Sequence, residues 1–115
     1  MISERDRVYL GHILDCTTLI QTYTCTGKAD FMANSLVQDA VLRRLQTMAE
    51  STQRLSEALK LKAPAIDWRA LSGLRNVLVH DYLGGIDLEQ IWYAVERYLP
   101  ELETTLHRLM DDDQR

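Results

Sequence analysis

Apolar residues in this chain recur at steps of three and four, not two. Tyr9, Ile13, Cys16, Ile20 and Tyr23 form one such line, and Leu36, Ala40, Val41, Leu45, Met48, Leu55 and Leu59 a second. Trp68, Leu71, Leu74 and Leu78, with Val79, form a third, and Leu88, Ile91, Trp92, Val95, Leu99, Leu102, Leu106 and Met110 a fourth. This is the period of helices that each bury one stripe, whereas a half-buried strand would alternate. Only 5 Gly and 2 Pro stand among 115 residues, too little turn material for many short strands. The expected fold is all-α: an antiparallel bundle of four to five helices forming one domain over residues 1–115.

The breakers place the boundaries. Ser3 is a candidate N-cap for a first helix near 3–26, and Gly27 a stop. A short helical or turn segment is expected around 28–34. A second long helix is expected near 35–60, since no Gly or Pro interrupts it, and Pro64 marks the following connection. Asp67 can cap a third helix that begins at Trp68. Gly73 costs that helix up to about 1 kcal/mol relative to Ala, and is read as room for a neighbouring helix. Gly84-Gly85 is the sharpest break in the chain. Asp87, with Gln90 three residues on, offers a capping box for the fourth helix. Pro100 predicts a kink or break near 96–99, and residues 111–115 are expected to fray.

The net charge of -4 argues against general affinity for nucleic acid. Its distribution is uneven: residues 1–35 sum to -1, residues 36–80 to +3, and residues 81–115 to -6. The middle could receive an anion; solvated helix faces would give the same pattern. Cys16 and Cys25, nine residues apart with no His pair beside them, match no zinc spacing, and no other metal cluster is visible. No apolar signal core follows the start, and no apolar run approaches a membrane span. A cytoplasmic chain with reduced thiols and no membrane contact is expected.

One segment concentrates polar chemistry at the end of an apolar helix: Arg75-Asn76-Val77-Leu78-Val79-His80-Asp81-Tyr82. Arg is permanently charged and holds a phosphate through two parallel hydrogen bonds. His can move a proton near neutral pH. Asn76 could orient the His or a phosphate oxygen. Together they suit metal-free RNA cleavage, in which a ribose 2′-hydroxyl attacks the adjacent phosphate. In an unbroken helix, however, His80 lies about 140° around the axis from Arg75. The two converge if the backbone leaves the helix near His80, if the Arg side chain bends across, or if a second subunit supplies its copy. An ordinary solvated helix end would carry the same residue types.

With those residues in view, the sequence resembles the HepT-like ribonuclease toxins of the HEPN superfamily over roughly residues 3–110. The family motif, Arg, four residues, His, any residue, Tyr, is met by Arg75, His80 and Tyr82. Ile66-Asp67-Trp68-Arg69 and Leu83-Gly84-Gly85-Ile86-Asp87 fit its flanks, and Asp39-Ala40-Val41-Leu42-Arg43 its second-helix signature. Ala49-Glu50-Ser51 stands where the family often has Gly-Glu-Ala, and Gly84-Gly85 adds a residue to the commoner single Gly. The resemblance implies a homodimer whose paired motifs line an RNA-cutting cleft. Arg75 and His80 would be catalytic, Asn76 and Asp81 supporting, with no cofactor. It also implies the toxin half of a type VII toxin–antitoxin pair. The partner, an MntA-type minimal nucleotidyltransferase antitoxin, would silence the toxin by transferring AMP to Tyr82. Two rival readings are a non-catalytic helical module that docks a nucleotidyltransferase or binds a nucleotide, and a purely structural helical dimer.

Overall fold

The computed structural model describes residues 1–80 and 85–114. Asp81, Tyr82, Leu83 and Gly84, and with them half of the Gly84-Gly85 break, lie outside the described residues, as does Arg115. Every regular element among the described residues is helical: α1 Glu4–Tyr23, α2 Lys28–Ala33, α3 Ser35–Gln53, α4 Glu57–Leu61, α5 Trp68–His80, α6 Leu88–Tyr93 and α7 Leu99–Asp113. A π-helical turn, Ala94–Tyr98, joins α6 to α7 without a break. Four principal helices therefore make the bundle, with α2 and α4 as short connectors.

α1 and α3 form its centre and run antiparallel, as their cross-contacts show. Asp6 accepts from Ser56, His12 Nδ1 lies 2.7 Å from Ser51 Oγ, and Cys16 Sγ lies 3.6 Å from Thr47 Oγ1. Ile13, Cys16 and Ile20 of the predicted stripe are fully shielded, as are Val41, Leu45 and Met48 opposite them. Arg44 stands by Tyr23 at the far end of the seam, and interaction with that hydroxyl holds its guanidinium above its ordinary value. α7 packs antiparallel on the other side of α1: Thr17 Oγ1 donates to Glu103 Oε2 at 3.2 Å, and Arg7 pairs with Asp113. α5 runs back along α3. α2 closes the end of the bundle, with Phe31 5.5 Å from Trp92 and Lys28 paired to Glu89 at 2.7 Å. Gly27, before α2, holds φ 99°, a conformation open to glycine and costly for residues with a Cβ.

The long second helix expected over 35–60 is instead two helices. Its interruption at Arg54–Ser56 has a tertiary cause. Asp6 Oδ1 accepts from the Ser56 backbone N–H at 2.9 Å, and Asp6 Oδ2 from the Ser56 hydroxyl at 2.6 Å. The Ser56 hydroxyl oxygen in turn accepts from Leu59 N–H at 3.2 Å and so caps α4. Leu36, assigned to the apolar face, is exposed in the first turn of α3. The tail expected to fray is helical through Asp113, because Asp113 grips Arg7 and accepts from Ile2 N–H at 2.8 Å. Where a kink or break was expected, the helix runs on through the π turn. Pro100, in the first turn of α7, has no N–H to give to the preceding turn, and a widened turn accommodates it.

Three seams of the bundle are packed: α1 with α3, α3 with α5, and α1 with α7. The fourth, between α5 and the α6–α7 arm, opens into a cleft of about 740 Å³. Leu71, Leu74 and Val77 line one wall, Ile91, Ala94 and Leu102 the other, and Leu45 and Met48 the floor.

Candidate active site

The site helix is fixed firmly at its start. Asp67 Oδ1 accepts from Ala70 N–H at 2.9 Å, as expected of the cap. The Trp68 indole N–H donates to the carbonyls of Lys60 and Ala63 at 3.3 and 3.2 Å, which ties α5 to the turn before it. Further along, attachment thins. Leu78 is the one buried residue of α5, while Leu71 and Leu74 are half-buried and Val77 and Val79 exposed. Gly73 faces open space: a Cβ there would meet nothing within 4 Å. The close neighbour expected at Gly73 is not supplied by the described residues.

α5 continues without a break through His80. The backbone thus stays helical up to the histidine, and the residues that follow it lie outside the described ones. Arg75 and His80 root about 140° apart on one helix. Asn76 stands between them, one turn before His80 on the same face. Arg75 Nη1 donates to Asn76 Oδ1 at 3.3 Å, so the half-buried Arg75 side chain leans toward the histidine face. Its Nε is buried and has no hydrogen-bond partner among the described residues. A buried donor left unsatisfied costs about 1–3 kcal/mol, an expense that an acceptor from outside would remove. Asn76 and His80 are exposed. Asp81 and Tyr82 fall outside the described residues, so the structure places three of the five candidate site residues, Arg75, Asn76 and His80.

No group of three or more His, Cys, Asp or Glu among the described residues could hold a metal ion. None of their helices is long and apolar enough to cross a membrane. Two features escaped the sequence reading. One is the cleft, whose walls come from helices distant in sequence. The other is the neighbourhood of the helix end, where Arg43 and Gln46 of α3 share a recess with Leu78 and Val79. Their spacing of three placed them on one face of α3; nothing local said which helix that face would meet.

A family model described as "Ribonuclease HepT-like" matches residues 13–109. This chain belongs to the HepT-like ribonuclease family. The HepT-like chain is 28% identical over 109 residues to a "Putative RNase" of Caldanaerobacter subterraneus subsp. tengcongensis, covering 94% of this chain and 96% of that protein. It is 30% identical over 104 residues to a "Probable ribonuclease HepT" of Thermococcus cleftensis, covering 88% and 92%. It is also 31% identical over 107 residues to a "Gamma-glutamylcyclotransferase and putative RNase" of Methanocaldococcus jannaschii; that match takes in 92% of this chain and about half, 48%, of the longer protein. No solved structure matches. The matched region runs from α1 into α7 and contains the whole Arg75–Tyr82 segment, so the expected HEPN-like helical bundle and family stand.

Proposed function

We propose that this HepT-like ribonuclease cuts RNA, tRNA or mRNA, as a metal-independent endonuclease, and that Arg75 and His80 do the chemistry. The ribose 2′-oxygen attacks the adjacent phosphorus and gives up its proton. The bond to the 5′-oxygen of the next nucleotide breaks, and that oxygen takes a proton. His80 moves protons in this exchange, and Arg75 holds the phosphate and the charge that builds on its oxygens. Asn76 positions the Arg75 guanidinium, and Asp81 supports His80. The observation that carries the reading is the lean of Arg75 toward the His80 face, with its buried Nε awaiting an acceptor, in a chain of this family. Incubating the purified protein with tRNA in EDTA tests it. Wild type should cut and His80→Ala should not; equal inactivity of both would remove the catalytic assignment.

The same proposal includes a homodimer. Ala70, Gly73, Val77 and His80 are exposed on α5 at steps of three, four and three, a line of small and apolar residues ending on the histidine. A second copy laid along it would bring two motifs together and cover the neighbouring cleft. In the cell, assumed to be the cytoplasm, the chain is the toxin of a type VII toxin–antitoxin pair. An MntA-type nucleotidyltransferase transfers AMP from ATP to the Tyr82 hydroxyl: the tyrosine oxygen loses its proton and bonds to the α-phosphorus, pyrophosphate leaves, and the phosphodiester-linked nucleotide adds bulk and negative charge where RNA phosphate must enter. Intact mass with and without that partner and ATP should differ by whole AMP units. Tyr82→Phe should abolish the steps.

A further inference from the structure

The recess at the end of α5 has a use that the catalytic pair does not absorb. About 280 Å³ in volume, it is lined by Arg43 and Gln46 from α3 and by Leu78 and Val79 from α5. Val79 immediately precedes His80 and stands one turn beyond Arg75 on nearly the same side of the helix. The recess is thus on the flank of α5 from which Arg75 rises, opposite the Val77 flank that borders the apolar cleft.

We infer that Arg43, assisted by the Gln46 amide, is a phosphate-binding subsite beside the catalytic pair, which holds a backbone phosphate of single-stranded RNA next to the one being cut. The inference rests on the ribonuclease reading above. Arg43 is exposed, and among the described residues it makes no hydrogen bond or ion pair, although Asp39 lies one turn before it on α3. Its neighbour Arg44 contrasts with it, being engaged with Tyr23 and Cys16 of α1. A guanidinium with its fork of donors free, above a floor of Leu78 and Val79 that offers no competing side-chain acceptor, is suited to two parallel bonds to a phosphate. The Gln46 amide can add a neutral donor from the next turn. An RNA chain held at one phosphate between Arg75 and His80 and at a neighbouring phosphate by Arg43 is fixed in direction as well as position. This also accounts for specific binding by a chain of net charge -4: few cations are needed if each is correctly placed.

The test separates this subsite from the reading it rests on. The probe is a labelled single-stranded RNA oligonucleotide, bound to the inert His80→Ala protein and followed by fluorescence anisotropy over a salt series. Adding Arg43→Gln should weaken binding about tenfold and flatten the slope of log affinity against log salt by about 0.7, the release expected for one single-strand phosphate contact. Arg43→Lys should restore most of the slope. Arg54→Gln, at the other end of α3, should change neither quantity. In the His80-intact protein, Arg43→Gln should raise KM for tRNA about tenfold with kcat within about twofold, because a flanking phosphate is held equally before and during the reaction. If RNA is bound and cut but Arg43→Gln leaves slope and KM unchanged, or Arg54→Gln moves them as much, the subsite is wrong and the ribonuclease reading stands. If the wild type neither binds nor cuts RNA, both fall.

Discussion

The α1–α3 seam and the α5 helix are built from similar residues and finished to different degrees. Along the seam, apolar side chains are shielded from solvent, and the polar groups answer one another in sequence: Asp6 with Ser56, His12 with Ser51, Cys16 with Thr47, Tyr23 with Arg44. α5 is well secured at Asp67 and Trp68. Beyond them one residue is buried, valines face outward, and a cleft of about 740 Å³ lies along one flank. The scaffold completes itself within one chain, whereas α5, on the function proposed above, is left to be completed by RNA and a second copy. Stability and activity should therefore respond to different residues.

The sharpest way to break that separation is His80→Ala. Loss of general acid–base transfer should lower cleavage by about 10²–10⁴-fold. As His80 is exposed, the melting temperature should hold steady; a large fall in stability would show the site helix to be part of the scaffold after all. Asp6→Ala is the converse. It strands the Ser56 backbone and hydroxyl donors and uncaps the turn between α3 and α4, and should cost about 2–4 kcal/mol in denaturant unfolding while leaving kcat close to wild type.

Acid should reveal the same seam. Burial works against the Asp6 charge, but the hydrogen bonds from Ser56 and Ser3 and the charge of Arg5 outweigh it, holding the carboxyl below its ordinary value of 3.8. A depressed carboxylate stabilises the fold in full above the unfolded value, and that contribution is lost as pH falls through the folded value. The stability gap between wild type and Asp6→Asn should stay constant above about pH 5 and narrow below 3.8. A gap that is flat down to pH 2 would contradict this. The smallest effect belongs to Gly73→Ala. With nothing within 4 Å of the added methyl, it should stabilise the isolated chain by about 0.8–1 kcal/mol. If a second copy packs on Gly73, the same methyl should weaken the dimer in light scattering at low concentration, where the single chain has a mass of 13.3 kDa. A dimer that tightens would put the interface elsewhere.

What could be read from the sequence divides along physical lines. Periodicity and short-range capping placed the four principal helices and the caps at Ser3, Asp67 and Asp87, since those depend on residues three or four apart. The order of Arg75, Asn76 and His80 was equally plain. The break before Ser56 was not, because its cause is a carboxylate fifty residues upstream. Nor was the order of the C-terminal turn, held by a pairing of Asp113 with Arg7 across 106 positions. Arg43 stood in the sequence only as the end of a second-helix signature, and the crossing of α3 and α5 set it beside Val79. Convergence of Arg75 on the histidine face depended on a rotamer, and spacing says nothing about rotamers.

The π turn at Ala94–Tyr98 also decides how much the C-terminal arm can change. Buried apolar positions along it are Ile91, Val95, Leu99, Leu102, Leu106 and Leu109, so two four-residue steps come in succession before the ordinary alternation resumes. In a plain α-helix those two steps would carry the buried line about 80° around the axis. The wide turn absorbs the drift, behaving like one inserted residue that the helix has swallowed. Deleting a single residue from this turn would let it close to an ordinary α-helical turn with α7 still in phase, whereas the same deletion in the regular helix just after it, ahead of Glu103, would swing the rest of α7 by roughly 100°. Asp113 would then face away from Arg7 and Glu103 away from Thr17. For this arm, phase matters more than composition.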